Sequence, residues 1–270
     1  MAESIPQSVG VIGVGAMGGS IARGLVEAGV LDASHLLVAD SDERRVSAFA
    51  KMGARVFADG AALLADAPDV VILAVKPQVL GGVMADLAPL MGERLVISIA
   101  AGVTVSAIER ALPSARVVRV MPNLPVQVRS GATAVCAGTR TDAEDVELAT
   151  TLFSALGAVA VMREDQLDVA GAVSGCAPAF FSLFVDALTR AGVRAGLPAA
   201  CAREMVESTM RGCAEQLLTE GVHPREYMER VTSPGGTTAA ALYELEVPLT
   251  EGTHAAIDAA LARTRELANG

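Results

Sequence analysis

Three glycines near the start of the chain have a spacing that suits phosphate binding. The apolar run Val9–Ile12 leads into Gly13-x-Gly15-x-x-Gly18, and a helix-like segment follows. Gly13 permits a tight turn, Gly15 lets a pyrophosphate approach the backbone, and Gly18 lets helix and strand pack closely. The free N–H groups at the start of the helix then face the phosphate charge. The pattern predicts a dinucleotide site formed by Gly13, Gly15, Ala16, Met17 and Gly18.

A carboxylate follows the second apolar run of the chain. Asp40 lies where an acidic residue accepts hydrogen bonds from an adenosine ribose and repels a 2′-phosphate. Arg44 and Arg45 follow about one helical turn later, where they either bind such a phosphate or lie in solvent as helix residues. The sequence therefore predicts that Asp40 and Ser41 contact the cofactor, and it leaves both NADH and NADPH open.

Three further strand ends carry small or polar residues. The run ending at Lys76-Pro77 turns the backbone outward, although Lys76 also fits an exposed turn. Small residues around Ala100 leave room for a flat ring, and Asn123 offers a donor and an acceptor in a loop fixed by two prolines. Because ligands bind outside the carboxyl ends of the strands in open α/β sheets, we expect these ends to approach the cofactor. The residues concerned are Ala74, Val75, Lys76, Ala100 and Asn123.

A second segment of small residues lies far along the chain, where Ser233-Pro-Gly-Gly-Thr-Thr opens a helix. Free N–H groups in a small concavity, with hydroxyls nearby, form a receptor for a small anion such as a carboxylate. The alternative is a simple turn between helices with a threonine cap. We expect the substrate carboxylate to bind at Ser233, Gly235, Gly236, Thr237 and Thr238.

The elements that must position these residues alternate between strand and helix in residues 1–163. The strand-like runs lack polar alternation, as is typical of parallel strands covered by helices on both faces. They are Val9–Val14, Leu36–Ala39, Val70–Val75, Leu95–Ile99, Arg116–Val120, Ala132–Cys136 and Ala158–Met162. Thr141 and Glu144 form a predicted capping box for one helix. The sequence therefore predicts an α/β domain with a doubly wound parallel sheet.

Residues 164–270 show helical spacing and no convincing strand. The predicted helices are Gln166–Ala195, Pro198–Glu220, Pro224–Arg230 and Thr237–Ala268. A helical domain this apolar and this small is expected to bury its faces against another copy of the chain. The uncharged stretch Val169–Val185 approaches the length of a membrane span, but its glycines, serines and proline favour a packed helix in an oligomer.

The amino-acid composition limits the kinds of partner that the chain is expected to bind. The net charge of −10 and the aromatic content of 3% argue against nucleic acid and anionic membranes as partners. The four cysteines form no C-x-x-C pair, and the three histidines are far apart, so no metal site is expected. The N-terminus has no apolar segment of the signal-peptide kind. We expect a cytoplasmic protein with reduced cysteines.

Taken together, the motifs resemble the Δ1-pyrroline-5-carboxylate reductase family. The matching segments are GVGAMGGSIARGL, VILAVKPQ, SIAAGV, RVMPNLP, VSGCAPAF and VTSPGGTTAAAL, in that order. The resemblance implies a Rossmann-type domain followed by an all-helical dimerisation domain, with the active site between the cofactor of one subunit and helices from both. It implies a homodimer at least, and in some members a ring of dimers such as a decamer. The implied reaction is the NADPH- or NADH-dependent reduction of a cyclic imine to proline.

The resemblance also supports a catalytic role for Thr238, whose hydroxyl is assigned to the ring nitrogen. The chain departs from the family at Leu124, where threonine is usual, and around Cys176, where the usual motif is SGSGPAY. A related cyclic imine therefore stays open as the substrate, as does a non-catalytic NAD(P)-binding role. A β-hydroxyacid dehydrogenase would need a lysine in the helical half, and the range 166–270 contains none.

Overall fold

Residues 9–161 contain the eight strands of one sheet in the computed structural model, which describes residues 4–269. The spatial order is β3-β2-β1-β4-β5-β6-β7-β8, and every neighbouring pair is parallel except β6 with β7. The strands are β1 Val9–Ile12, β2 Leu36–Ala39, β3 Arg55–Phe57, β4 Val70–Leu73, β5 Leu95–Ser98, β6 Arg116–Met121, β7 Gly131–Ala137 and β8 Gly157–Val161.

Helices cover both faces of this sheet. They are α1 Ala16–Glu27, α2 Glu43–Lys51, α3 Gly60–Ala65, α4 Pro77–Met91, α5 Val105–Ala111 and α6 Ala143–Ser154. Each central strand feeds two separate apolar clusters: β4 gives Val70 and Ile72 to one and Val71 and Leu73 to the other. Burial on both faces explains why the strands lack polar alternation, and the predicted doubly wound sheet is confirmed.

The strand order reverses between β1 and β4. The chain runs outward from β1 through β2 to β3, and then crosses to β4 on the other side of β1. Backbone hydrogen bonds continue past the strand ends here, from Gly13 N to Ala39 O (2.8 Å) and from Ala74 N to Ile12 O (2.9 Å). This reversal leaves a crevice beyond the carboxyl ends of the strands, where ligands bind in open α/β folds.

Two local expectations need correction. β3 was not predicted, because this edge strand has three residues and two of them, Arg55 and Val56, are exposed. The capping box lies one residue later than predicted, because Asp142 rather than Thr141 caps α6. The Asp142 carboxylate accepts from Asp145 N (2.9 Å), and the Asp145 carboxylate accepts in return from Asp142 N (3.3 Å).

The remainder of the described chain is helical, as predicted. The helices are α7 Glu164–Ala170, α8 Cys176–Arg194, α9 Ala199–Glu220, α10 Pro224–Arg230 and α11 Thr237–Asn269. A π-helical turn, Gly171–Gly175, joins α7 to α8. Sequence spacing did not reveal this turn, because the apolar pattern passes through it without a break.

The described chain divides into two compact units. The first runs to Cys176 and includes the part of α11 that begins at Leu261, and the second is Ala177–Ala260. Contacts therefore divide the chain after Cys176, whereas the sequence prediction placed the boundary after Arg163. The reason is that Leu167 of α7 is fully buried in a cluster with residues of α5 and β7.

The second unit buries little of its apolar surface by itself. Among its described residues, Ala202 is the only buried hydrophobic one, while Phe181, Leu218 and Tyr243 are mostly exposed. Among the described residues, one helical stretch, Glu164–Arg194, has the length and composition that would let it cross a membrane, and little of it is covered within the single chain. A helix that packs in an oligomer passes the same test.

Candidate functional site

A cleft of about 1230 Å³ lies in the first unit, beyond the carboxyl ends of β1, β2, β4 and β5. We call it the switch-point cleft, because it opens where the strand order reverses. Most of the residues predicted to bind a cofactor line it: Gly13, Gly15, Ala16, Met17, Asp40, Ser41, Ala74, Val75, Lys76 and Ala100. The predicted residues Gly18 and Asn123 do not.

Two of the three glycines are required by the chain itself. Gly13 has a φ of +93°, and a Cβ there would lie 2.9 Å from the carbonyl oxygen of Ala74. A Cβ at Gly18 would lie 2.0 Å from the carbonyl oxygen of Gly13, so this residue lets α1 pack against the loop. Gly18 therefore supports the loop that lines the cleft by allowing close packing, and it does not itself line the cleft.

Gly15 is different, because the protein leaves space around it. Its φ of −66° suits any residue, and the nearest atom to a built Cβ is Arg45 Nη1, at 3.8 Å. The first helical bond of α1 runs from Gly19 N to Gly15 O (2.8 Å), so the N–H groups of Ala16, Met17 and Gly18 have no partner within the helix. This open glycine beside free N–H donors fits the close approach of a pyrophosphate.

Asp40 is directed toward the glycine loop. Its Oδ2 accepts a hydrogen bond from Val14 N (3.0 Å), and its Oδ1 accepts one from Asp42 N (2.9 Å). Arg45 Nη1 lies 3.3 Å from the same Oδ2, and the Asp40 side chain is only 7% exposed. The carboxylate therefore joins β2 to the loop between β1 and α1, a role that sequence reasoning did not foresee.

The two arginines after Asp40 are also paired. Arg44 donates from Nε and Nη2 to the two carboxylate oxygens of Asp42, at 2.9 Å each, and Arg45 Nε lies 3.7 Å from Asp42 Oδ2. The hydrogen bond from Arg44 is the main cause that lowers the pKa of Asp42 to about 2. Neither guanidinium therefore presents an uncompensated charge to the cleft.

Sequence reasoning missed one wall of the cleft. This wall comes from the start of α3 and from one face of α4, and its residues are Ala58, Asp59, Gly60, Ala61, Val79, Val83, Asp86 and Leu87. Asp59 carries a recognisable signal, because it is an N-cap whose Oδ1 accepts from Ala62 N (2.8 Å). The face of α4 carries no such signal, because apolar residues at helical spacing predict packing in general and not a cleft.

Asn123, at the end of β6, makes two hydrogen bonds that join separate segments of the first unit. Its Nδ2 donates to the carbonyl oxygen of Ser174 (3.1 Å), and its Oδ1 accepts from Ala132 N (2.8 Å). The residue is buried. The prediction that Asn123 binds the cofactor gains no support from this geometry, although its neighbours Met121 and Pro122 do line the cleft.

A buried arginine, also missed, fixes α7 to the sheet. Arg119 of β6 is 2% exposed and pairs through Nη1 with Glu164 Oε1 (3.2 Å) and through Nη2 with Asp168 Oδ1 (2.9 Å). The same Glu164 oxygen accepts from Val105 N (2.6 Å) at the start of α5. The arginine therefore positions α7, and with it the π-helical turn that Asn123 contacts.

The second predicted site forms a cradle between α10 and α11 in the second unit. Gly235 has a φ of +71°, and a Cβ at Gly236 would lie 2.5 Å from Ser233 Oγ. The bond from Gly236 N to Ser233 O (3.0 Å) closes the turn, and the first helical bond of α11 runs from Ala240 N to Gly236 O (3.2 Å). Three N–H groups therefore precede the helical ladder, on Thr237, Thr238 and Ala239.

Side-chain contacts hold the helices around the Ser233–Thr238 cradle. Tyr227 donates from its hydroxyl to Gln216 Oε1 (2.5 Å), which joins α10 to α9. Arg225 Nη1 pairs with Glu246 Oε1 (2.5 Å), which joins α10 to α11. No ionisable side chain occurs in residues 231–240, so the cradle offers N–H groups and hydroxyls to a ligand.

Two family models match the chain. The model described as "NADP oxidoreductase coenzyme F420-dependent" matches residues 8–102, which include most of the switch-point cleft. The model described as "Pyrroline-5-carboxylate reductase dimerisation" matches residues 164–267, which include the cradle. The second match begins at residue 164, where the structure changes from α/β to all-helical.

Individual relatives match over nearly the whole chain. Pyrroline-5-carboxylate reductase 3 of Macaca fascicularis is 35% identical over 98% of this chain and 98% of its own length. A solved pyrroline-5-carboxylate reductase from Coxiella burnetii is 35% identical, with a TM-score of 0.92 over 97% of this chain and 99% of that one. The Plasmodium falciparum enzyme, solved with NADP bound, is 26% identical, with a TM-score of 0.88 over 98% of this chain and 100% of that one.

Proposed function

The chain belongs to the pyrroline-5-carboxylate reductase family, and on this premise we propose that it reduces Δ1-pyrroline-5-carboxylate to proline with NADH or NADPH. The observation that carries the proposal is the Ser233–Thr238 cradle, which starts a long helix with free N–H donors and nearby hydroxyls. Such a cradle suits the carboxylate of a small imino acid.

The residues of the switch-point cleft fit a nicotinamide dinucleotide. The free N–H groups at the start of α1 and the open space at Gly15 would hold the pyrophosphate, and Asp40 and Ser41 lie where the adenosine ribose is expected. Ala74, Val75 and Ala100 leave room for a flat ring beside the ends of β4 and β5. When bound, the reduced nicotinamide supplies the hydride.

Thr238 has the central role on the substrate side. We assign its hydroxyl to the ring nitrogen of the imine, while Ser233 and the N–H groups of Gly235, Thr237 and Thr238 hold the carboxylate. The predicted N–H donor of Gly236 instead closes the turn through its bond to Ser233 O. A protonated imine already carries positive charge, so its carbon accepts hydride without a strong acid from the protein. The protein then needs chiefly to position the ring, which agrees with the lack of ionisable side chains in the cradle.

We further propose that the working form is a homo-oligomer, at least a dimer, located in the cytoplasm. The match to a dimerisation model over residues 164–267 and the exposed apolar side chains of the second unit support self-association. A ring of dimers such as a decamer is the larger assembly proposed. The net charge of −10 supports the expectation that neither nucleic acid nor an anionic membrane is a partner.

The direct test follows the loss of absorbance of NADH or NADPH when the purified protein meets pyrroline-5-carboxylate, with proline measured as the product. We expect turnover with this imine and less with a six-membered cyclic imino acid. Faster turnover of the six-membered ring would favour the alternative that the departures at Leu124 and Cys176 allow. Cofactor binding without turnover of either imine would contradict the proposed reaction and favour a non-catalytic NAD(P)-binding protein.

A further inference from the structure

The buried arginine of β6, Arg119, lies close to one wall of the switch-point cleft. Met121 is two residues further along the same strand, so its side chain and that of Arg119 point to the same face of the sheet. Met121 lines the cleft together with Pro122. It also packs against a buried apolar cluster, and so does Ala170, the last residue of α7. This wall of the cleft and the end of α7 therefore rest on the same group of side chains.

Both terminal nitrogens of the Arg119 guanidinium are held by α7. Nη1 lies 3.2 Å from Glu164 Oε1 in the first turn of the helix, and Nη2 lies 2.9 Å from Asp168 Oδ1 near its end. Arg119 Nε is buried and makes no hydrogen bond within the part of the chain that the structure describes. The donors of a planar guanidinium have a rigid arrangement, so two separate carboxylate partners fix direction as well as distance. Arg119 therefore holds α7 at two points.

Stability alone does not explain a buried arginine at this position. Well-packed apolar residues often replace buried ion pairs without loss of stability, because burial removes the hydration of both charges. Arg119 is 2% exposed, and the cluster around Leu167 beside it is apolar. What the two ion pairs supply is a fixed placement of α7 and of the π-helical turn Gly171–Gly175 that follows it.

The π-helical turn begins close to the cleft wall. A Cβ added at Gly171, its first residue, would lie only 3.2 Å from Met121 Cε. Asp168 is three residues before Gly171, so its ion pair with the sheet holds the last turn of α7. Movement of α7 would therefore displace the neighbours of Met121, which lines the cleft together with Ala100.

We infer that Arg119 is a positioning residue for the nicotinamide ring, and that it acts through Asp168 and the end of α7. The inference rests on the proposed nicotinamide-dependent function, in which the flat ring lies near Ala100. Arg119 itself does not line the cleft. It keeps the wall at Met121 in the place where the ring packs, so that the ring faces the substrate in one orientation. The adenosine and pyrophosphate, which are expected beyond β1 and β2, do not depend on this wall.

Equilibrium binding of NADH and ADP-ribose to the complete protein tests the inference without substrate. ADP-ribose lacks the nicotinamide, so the ratio of the Kd for NADH to the Kd for ADP-ribose, measured by calorimetry, reports the contacts of the ring. In Asp168→Ala the guanidinium keeps Glu164 as its partner and α7 gains a strong helix former, so the fold should persist. We expect the ratio to rise about fivefold while the Kd for ADP-ribose stays the same. An unchanged ratio would overturn the inference.

Asp165→Ala is the matched control, because it removes an aspartate from the same helix. Asp165 pairs with Arg163 at the surface, where both side chains are well exposed. This variant should bind both ligands as the wild type does. An equal rise of the ratio in the two variants, or an equal weakening of NADH and ADP-ribose binding in Asp168→Ala, would reveal a general effect on the fold and overturn the inference.

Arg119→Lys tests whether the arginine and Asp168 act together. A lysine keeps a positive charge beside both carboxylates of α7 but loses the rigid pair of donors, so the ratio should rise as it does in Asp168→Ala. Because both changes break the same ion pair, the double variant should raise the ratio no further than the single variants do. Asp168→Asn keeps an acceptor for Arg119 Nη2 and should recover part of the wild-type ratio. Independent, multiplicative effects of the two changes would overturn the assignment to Arg119.

Turnover separates this inference from the proposed reaction. If the protein reduces pyrroline-5-carboxylate, a misplaced ring should lower the kcat of Asp168→Ala roughly 10- to 100-fold, and Asp165→Ala should keep the wild-type rate. A protein that shows the expected Kd ratios but does not reduce this imine would contradict the proposed function and leave the role of Arg119 intact. A protein that reduces the imine, with the ratio and kcat unchanged in Asp168→Ala, would do the reverse.

Discussion

The side-chain amide of Asn123 donates a hydrogen bond to the carbonyl oxygen of Ser174, with 3.1 Å between the two heavy atoms. This bond joins the loop after β6, beside the switch-point cleft, to the π-helical turn between α7 and α8. π-Helical turns inside α-helices occur often at functional sites. The turn also lies close to the cleft wall, because a Cβ added at Gly171 would lie only 3.2 Å from Met121 Cε.

Replacing Asn123 should lower the stability of the fold more than it affects the reaction. Asn123→Ala removes the partners of Ala132 N and Ser174 O, so we expect the free energy of unfolding to fall by about 1–3 kcal/mol. Asn123→Asp keeps an acceptor for Ala132 N and should fall between wild type and the alanine variant. Urea unfolding followed by circular dichroism measures both. An alanine variant as stable as wild type would show that these two bonds contribute nothing net.

Gly15→Ala should weaken cofactor binding while leaving the stability of the fold nearly unchanged. The chain has room for the methyl group and the φ of −66° is allowed, so stability should change by no more than about 1 kcal/mol. The methyl group would occupy the path of the pyrophosphate, so we expect the Kd for NADH to rise at least about tenfold. Gly13→Ala is the contrasting variant, and its clash with Ala74 O should destabilise the fold. Normal NADH binding by Gly15→Ala would place the pyrophosphate elsewhere.

Thr238→Ala should reduce turnover while leaving NADH binding nearly unchanged. Loss of one hydrogen bond to a charged nitrogen predicts a fall in kcat/KM of roughly 10- to 100-fold. Thr238→Ser keeps a hydroxyl and should recover much of the rate. Thr253→Ala, an exposed position further along α11, serves as the control for removing a threonine from this helix. If Thr238→Ala turned over at the wild-type rate, the hydroxyl would have no part in the reaction.

Cys136 should make stability depend on alkaline pH. Burial raises the pKa of this thiol, with the charges of Glu164 and Asp165 adding to the effect and Arg119 opposing it. The unfolded chain loses the proton at the ordinary thiol pKa while the folded chain keeps it, so stability falls as pH rises between those two values. Urea unfolding from neutral to alkaline pH should show a steeper fall for wild type than for Cys136→Ala. Cys201→Ala, at an exposed thiol, should follow wild type, and identical slopes for all three proteins would contradict the assignment.

Much of the fold was predictable because its signals are long and local. Strands buried on both faces read as unbroken apolar runs, and the helices of the second half end at Gly-Leu-Pro, Gly-Val-His-Pro and Ser-Pro-Gly-Gly breaks. β3 escaped prediction because an exposed strand of three residues has no periodicity to read. The cap on α6 moved by one residue because Thr141 and Asp142 are both good caps, and only the packed structure selects between them.

The position of the candidate site could be predicted from the sequence better than its contacts could. The glycine spacing predicted where the cleft lies, because each glycine meets a different requirement: a tight turn, space for a pyrophosphate, or close packing of helix against strand. The sequence could not show that Asp40 binds the backbone of Val14, since that contact joins residues far apart in the chain. Nor could it show that Asn123 is engaged with Ser174, or that Arg119 is buried with α7, since both depend on how distant segments meet.

The scarcity of buried side chains in Ala177–Ala260 makes protein concentration a determinant of stability. If another copy supplies the missing cover, the free energy of unfolding includes a bimolecular contribution, and the thermal midpoint must rise as the protein is concentrated. Dilution would then inactivate the protein without any change in solvent. Assembly of newly made chains would likewise follow second-order kinetics, so it would be slowest in a cell that makes few copies.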